Sequence, residues 1–405
     1  MGKNLIFLTM SRITDIDHRG IYTDLLRKFF SEGWGVYIVT PHERSLGMLT
    51  QLEEKDGVQI LGVKTLNLQK TSVIEKGIGQ VTVETLYQRA IKKFFKGIHF
   101  DLILYSTPPI TFPNVIAYLK RQNQQAKTYL LLKDIFPQNA VDLGMMSKSG
   151  IKGMIYNFFR NKEKRLYSLS DYIGCMSPAN VMYLLEHNPE IASEKVELAP
   201  NSVEISLVNI EKVSDKPTVR QKYELPIDKP IFIYGGNLGK PQGIPFLIEC
   251  LEANANRDDC HFLVIGSGTE LPKLKSWYSE RQPKSVTVMD GIAKEEYDQL
   301  VCTCEIGLIF LDHRFTIPNY PSRLLSYLEN KMPVLCATDP NCDIGRIAVE
   351  NGYGLWCESN SIEAFTAMVD KMIHSDLKAM GERGFQFLCN NYLVEHTYNA
   401  IVSHV

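Results

Sequence analysis

A chain of 405 residues is longer than one hydrophobic core usually supports and points to two domains of roughly 200 residues each. With 44% hydrophobic residues, 22% charged residues and a formal charge of -2, it is globular in composition. It has no global attraction for nucleic acid or an anionic surface, so any electropositive site has to be local.

The first stretch, KNLIFLTM, reads as a buried strand. It is too short for a signal peptide or a spanning helix, which needs about 20 apolar residues. Ile6 stands where a myristoylation signal needs Ser or Thr, so the chain is expected neither to be secreted, nor to cross a bilayer, nor to carry that lipid. IYTDLLRKFFSE places Ile21, Tyr22, Leu25, Leu26, Phe29 and Phe30 at helical spacing, and Gly33 and Gly35 end that helix. VYIVT, VQILGVKTL, DLILYST, AKTYLLLKDI and finally YIGCMS, the last before Pro178, read as strands. Residues 201–229 are polar, proline-bearing and aperiodic, which places a boundary there. The expected division is 1–204, 205–385, and a closing helix over 386–405 that packs back on the first domain.

The second half repeats the pattern: PIFIYGG, a helix from about Pro245, CHFLVIGSG, SVTVMDG, EIGLIFL, a helix from Pro321, PVLCAT, GYGLWC and two closing helices. Continuous Val/Ile/Leu strands alternating with amphipathic helices indicate parallel sheets covered on both faces. The expected fold class is α/β, with two doubly wound Rossmann-like domains and ligands bound in a cleft beyond the carboxyl ends of the strands. Nine cysteines, eight of them beyond Asn201 and most in apolar surroundings, read as free thiols of a reducing cytoplasm.

The segment YGGNLGKPQG follows a strand and precedes a helix, an arrangement that aims backbone N–H groups and a helix amino terminus at an anion. Gly235, Gly236, Asn237, Leu238 and Gly239 form the loop and Lys240 is its cation. The Walker pattern is absent, and the loop after the first strand offers only Gly20, so a nucleoside triphosphatase and a nicotinamide dehydrogenase lose weight. A plain strand-to-helix turn is the alternative for one such loop taken alone. A second helix start, Pro321 and Ser322, carries Arg323 in its first turn. That is the wrong sign for the macrodipole unless an anion sits between them. Lys240 and Arg323 then make a diphosphate clamp. No metal site is expected: Cys302 and Cys304 lack a second ligand pair, and the Asp15-Ile16-Asp17 acidic pair lies in the loop after the first strand.

The second half resembles the retaining GT-B glycosyltransferases of glycosyltransferase family 4: the glycine loop, FLVIGSG, SVTVMDGI, CEIGLIFL, and YPSRLLSYLENKMPVLC in the place of P-S-K-L-x-E-Y-x-x-x-x-K-P-V. STPPITF, LLLKDIFPQNAVDLG and LAPNSVE are similar to segments of the bacterial capsule and O-antigen branch, which includes fucosamine transferases. The resemblance implies that a sugar, an N-acetylated amino or deoxyamino sugar, moves with retention from a UDP-sugar to a lipid-linked saccharide. It implies no metal and no cofactor other than the donor substrate, no nucleic-acid partner, and a cytoplasmic protein at the inner face of the plasma membrane. Its site residues carry over as Lys240, Arg323 and Asp134 for catalysis. Donor contacts carry over to Gly20, Gly235, Gly236, Asn237, Leu238, Gly239, Gly266, Gly291, Pro321, Ser322, Leu324, Ser326 and Glu329. Asp134 is expected to orient acceptor or sugar, His18 and Lys133 being lesser candidates, and Gly20 to let the backbone approach the donor phosphate.

The sequence also departs from that family. The two acids of its E-x7-E pair align with Pro318 and Ser326, leaving Glu329 one helical turn on as a ribose contact. Asn237 and Gln242 replace basic residues, and Lys133 replaces a histidine. A sugar-nucleotide 2-epimerase and a non-catalytic sugar-nucleotide-binding subunit remain alternatives, and the missing acids favour the last. Oligomeric state is not readable.

On the acceptor side, residues 151–167 place Ile151, Met154, Ile155, Phe158, Phe159 and Leu166 along one stripe with Lys152, Arg160, Lys162, Lys164 and Arg165 around it. That is the pattern of an interfacial helix and equally of a helix covering a sheet. Residues 89–100 repeat it more briefly.

Overall fold

A computed structural model describes residues 2–68, 73–205 and 216–405. It divides into two compact units, Met1–Glu204 with Val394–Val405, and Ile205–Leu393.

The strands of the first unit are β1 (Asn4–Leu8), β2 (Gly35–Glu43), β3 (Gln51–Lys55), β4 (Val58–Thr65), β5 (Leu102–Ser106), β6 (Lys127–Leu132), β7 (Tyr172–Cys175) and β8 (Val196–Leu198). They form one sheet in the order β3-β4-β2-β1-β5-β6-β7-β8, parallel except for the β3–β4 pair. Two strands were not anticipated. β8 follows Pro178, so YIGCMS is not the last strand of this half. β3 is a polar edge strand whose hairpin turn, Asp56 (φ 50°) and Gly57 (φ 85°), has the left-handed pair that Asp-Gly favours.

The helices are α1 (Thr23–Ser31), α2 (Val73–Phe94), α3 (Pro113–Gln122), α4 (Gln138–Asp142), α5 (Gly150–Leu169) and α6 (Pro178–His187). α1 buries Leu25, Leu26 and Phe29 in a cluster with β1 and β2 residues, and stops at Gly33 (φ 83°). There Gly33 N–H meets Phe30 O and Trp34 N–H meets Phe29 O, satisfying carbonyls at the helix end. The opposite face of the sheet carries the larger core, with Tyr87, Ile91, Phe112, Ile116 and Leu166.

Residues 89–100 are not an interfacial helix. α2 ends at Phe94, and Ile91, Phe95 and Phe100 are buried while the lysines face solvent.

The second unit has α7 (Lys216–Lys222), a helix inside the stretch read as aperiodic, then β9 (Ile231–Asn237), α8 (Ile244–Ala253), β10 (His261–Ser267), α9 (Leu271–Arg281), β11 (Val286–Asp290), α10 (Lys294–Val301), β12 (Ile306–Phe310), α11 (Arg323–Glu329), β13 (Val334–Thr338), α12 (Ile344–Glu350), β14 (Gly354–Glu358), α13 (Ile362–Ile373) and α14 (Leu377–Asn391). A last helix, α15 (Val394–Val402), belongs to the first unit, where Val394 N–H bonds Val203 O. The closing helices thus number three. The sheet is parallel, in the order β11-β10-β9-β12-β13-β14.

The order reverses between β9 and β12, the switch point beyond which ligands bind in such sheets. These two strands pair only at Ile306 with Phe232 and Gly307 with Ile233. Past Ile233 the seam is filled by Tyr327 of α11. Its hydroxyl accepts from Gly235 N–H at 3.2 Å and donates to Ile233 O at 3.1 Å, and its ring lies where a Cβ on Gly307 would sit.

Candidate active site

Beyond the seam, the glycine loop is shaped by close approaches. A Cβ on Gly235 would meet the Tyr297 hydroxyl at 1.9 Å, and one on Gly266 would meet Gly236 O at 1.8 Å. Gly236 itself has φ 113°, open to glycine alone. Gly266 therefore serves strand approach, and Gly291 lies exposed just past β11.

Much of the loop bonds to itself. Leu238 is fully buried, and its N–H is bound to Ser267 O at 2.9 Å. The Gln242 side chain accepts from Gly239 N–H at 3.1 Å and from the Asn237 amide at 3.1 Å. The backbone amides of Leu238 and Gly239 are thus satisfied by Ser267 and Gln242, so the expectation that both face an anion is corrected. The two residues that replace the resembling family's cations, Asn237 and Gln242, brace the turn. Lys240 opens that turn, exposed. The following helix begins at Ile244, with Gly243 (φ 59°) before it.

Arg323 lies beneath the loop. It is the first residue of α11, and Ser322 makes no side-chain cap, so the helix starts two residues later than Pro321. Its guanidinium lies 4.1 Å from the centroid of the Tyr234 ring, with the Tyr327 and Tyr297 hydroxyls close enough to feel its charge. The Tyr234 hydroxyl donates to Asn237 O at 2.8 Å, which ties the cation to the loop. One guanidinium nitrogen, Nη1, is buried and has no hydrogen-bond partner among the described residues. Arg323 as a whole is half-buried, but an unpaired, buried donor nitrogen on a cation is costly, and an anion would relieve it.

Of the other expected contacts on this helix, Leu324 is core and its N–H is bound to Pro321 O. The Ser326 carbonyl is taken by Asn330. Glu329 is the last helical residue, with one carboxylate oxygen buried.

In the first unit, Lys133 and Asp134 follow β6, and both backbone N–H groups meet the Thr107 hydroxyl. The Asn139 amide holds both Asp134 oxygens, at 2.9 and 3.0 Å, so Asp134 does not cap a helix. Burial pushes its carboxyl up to about 6, against the pull of Asn139. Burial also brings the Lys133 amine down to about 7, and its Nζ donates to Ala199 O at 3.0 Å. Tyr22 lies within electrostatic reach of Asp134.

Gly20 does not offer its N–H to a phosphate. That group donates to Asp24 Oδ1 at 2.9 Å. His18 is used locally, its ring bonded to Asp15 at 2.7 Å. Burial works against the Asp15 charge, but the His18 bonds prevail and hold the carboxyl at about 2. Among the described residues no group of three His, Cys, Asp or Glu could hold a metal ion, and no helix is long and apolar enough to cross a membrane.

The tyrosines around Arg323 were not anticipated. Tyr327 stands four residues after Arg323, on the same helical face, and Tyr234 directly precedes the double glycine, so both left a local trace. Tyr297 arrives from α10 with none.

These features define an α/β fold of two Rossmann-like units, each a predominantly parallel sheet covered by helices. Residues 215–387 match the family described as "Glycosyl transferases group 1". The chain is 24% identical over 334 residues to the probable glycosyltransferase WbjE of Pseudomonas aeruginosa, covering 80% of this chain and 78% of that one. It is 24% identical over 247 residues to the putative colanic acid biosynthesis glycosyl transferase WcaI of Escherichia coli (strain K12), covering 60% of this chain and 59% of that one. The fold is similar to that of Anabaena Alr3699/HepE in complex with UDP and glucose, with a TM-score of 0.67 and 13% identity over 99% of this chain and 98% of that one.

Proposed function

We propose that this protein is a retaining glycosyltransferase that moves a sugar from a UDP-sugar to a lipid-linked saccharide in the assembly of a bacterial surface polysaccharide. The observation that carries this reading is the buried Nη1 of Arg323, without a hydrogen-bond partner among the described residues and beneath the glycine loop, inside the segment that matches the glycosyl transferase family. UDP is favoured because a protein of similar fold holds it, and a polysaccharide role because WcaI bears that description.

Breaking the anomeric bond leaves negative charge on the departing diphosphate. Leu238 and Gly239 N–H groups are already bound, so that charge falls on Arg323 and Lys240. The Asp134 carboxylate, held by Asn139, orients the acceptor or the transferred sugar. We test the assignment by incubating the protein with a panel of UDP- and GDP-sugars and an undecaprenyl-diphosphate sugar. A glycolipid product is expected, and Lys240→Ala should lower turnover roughly 10²- to 10³-fold at unchanged melting temperature. An epimerised donor, or a thermal shift without product, would replace the transferase by one of its two alternatives.

The acceptor's lipid calls for a membrane contact, which we assign to the first half of α5. Ile151 is 81% exposed, Met154 73% and Phe158 43%, whereas Phe159 packs against the core. The cations expected to flank this stripe divide. Arg160 pairs with Glu163, Lys162 with Glu84 and Lys164 with Glu190, while Lys152 and Arg165 are exposed, Lys152 beside the exposed end. Sedimentation with anionic vesicles should be lost in Ile151→Asp/Met154→Asp and kept in Lys164→Glu. Equal sedimentation of the Asp variant and wild type would remove the membrane contact.

A further inference from the structure

The inner face of α5 borders an open cavity of about 90 Å³ between α6 and the segment after Asp134. Its polar wall is a network. Arg160 Nη1 donates to Glu163 at 2.5 Å, Tyr167 donates to the same carboxylate at 2.7 Å, and Arg160 Nη2 bonds Asn188 Oδ1 at 2.6 Å. A buried Arg–Glu pair adds little to stability compared with apolar residues of the same volume, so stability alone does not explain it. Two further phenols, Tyr156 and Tyr183, line the cavity. Tyr183 lies close enough to feel Glu163, Arg160 and Tyr156, and neither hydroxyl has a hydrogen-bond partner among the described residues. Ile135, Pro137 and Leu184 add apolar surface, and Gln138, Lys148 and His187 add further polar groups.

We propose that this cavity is a saccharide subsite that takes the edge of a pyranose ring. The inference rests on the transferase reading and specifies where its acceptor is held. A ring edge carries hydroxyls that both donate and accept, beside an apolar C–H face. The wall supplies donors in Arg160 and the two phenols and an acceptor in Glu163, with aromatic and aliphatic surface between them. A phosphate has only acceptors: it would suit Arg160 and Lys148 but would meet the Glu163 carboxylate and leave it unmatched, which is why phosphate is one of the probes. The cavity also adjoins the reacting side of the unit. Ile135 directly follows Asp134, and Glu163 feels the Asp134 charge.

The probes are four methyl glycosides (of N-acetylglucosamine, galactose, fucose and mannose), inorganic phosphate and UDP, read by saturation-transfer NMR on the full chain. At least one glycoside should bind wild type, and its Kd should rise five-fold or more in Tyr156→Phe/Tyr183→Phe, which removes only two hydroxyls. The Kd for UDP and the melting temperature should stay unchanged. Binding of none of the four glycosides, a glycoside Kd that the double variant leaves unaltered, or displacement of the glycoside by phosphate would each overturn the subsite. UDP binding in the same samples separates the two ideas. Loss of UDP binding counts against the transferase, and loss of glycoside binding with UDP retained counts against the subsite alone.

Discussion

Arg323→Met should abolish most activity while leaving the protein as stable as wild type or more so. Methionine has nearly the reach of arginine and packs well on an aromatic ring, so the contact with Tyr234 persists. The positive charge, the unpartnered Nη1 and the attraction for a diphosphate go together. Losing one fixed donor to a leaving group typically costs about 10²- to 10³-fold in rate. Replacing an incompletely paired charge by an apolar side chain of similar volume is neutral or stabilising when the charge is buried, and for the half-buried Arg323 the expected change is small. The paired measurement is turnover with a UDP-sugar and the thermal midpoint. A fall in both would make Arg323 a structural member of the tyrosine cluster, and undiminished turnover would end its role in the leaving-group site.

The second large effect concerns Lys133. Its amine titrates at about 7 in the folded protein, against about 10.4 in an unfolded chain. Between these two values the unfolded chain holds a proton that the folded one has released, so this group's contribution to stability rises with pH through that window. At pH 7 and below, folding carries a penalty of a few kcal/mol for discharging or burying the amine. Lys133→Met removes it, at the loss of one hydrogen bond to Ala199 O. Urea denaturation at pH 7 should show the variant more stable by about 2–4 kcal/mol, and the gap should narrow steadily toward pH 10. A gap that is absent at pH 7, or that does not change with pH, would mean the amine stays charged and paired. Asp134, at about 6, titrates in the opposite sense for function. Its carboxylate is lost as pH falls through 6, so kcat/KM should decline there in wild type.

The strands that position both sites were legible because they are continuous Val, Ile and Leu runs, which only a sheet buried on both faces accommodates. β3 was not, because QLEEK is a polar edge strand. Its one signal was the Asp-Gly turn after it. Lys240 and Arg323 were legible as charges at helix starts. The fate of the loop amides was not, since Leu238 bonds Ser267, 29 positions on in the chain, and only the β9–β10 register brings them together. Asp134 could be named from its place after a strand, whereas the burial that lifts its pKa depends on the packing of the whole unit.

The narrow pairing of β9 with β12 has a kinetic consequence. The phenol of Tyr327 holds the two strands apart, so the separation is already established when the polypeptide folds and no ligand has to create it. A nucleotide arriving at this unit should meet a finished receptacle, and its association rate should rise linearly with concentration without levelling off at a slow isomerisation.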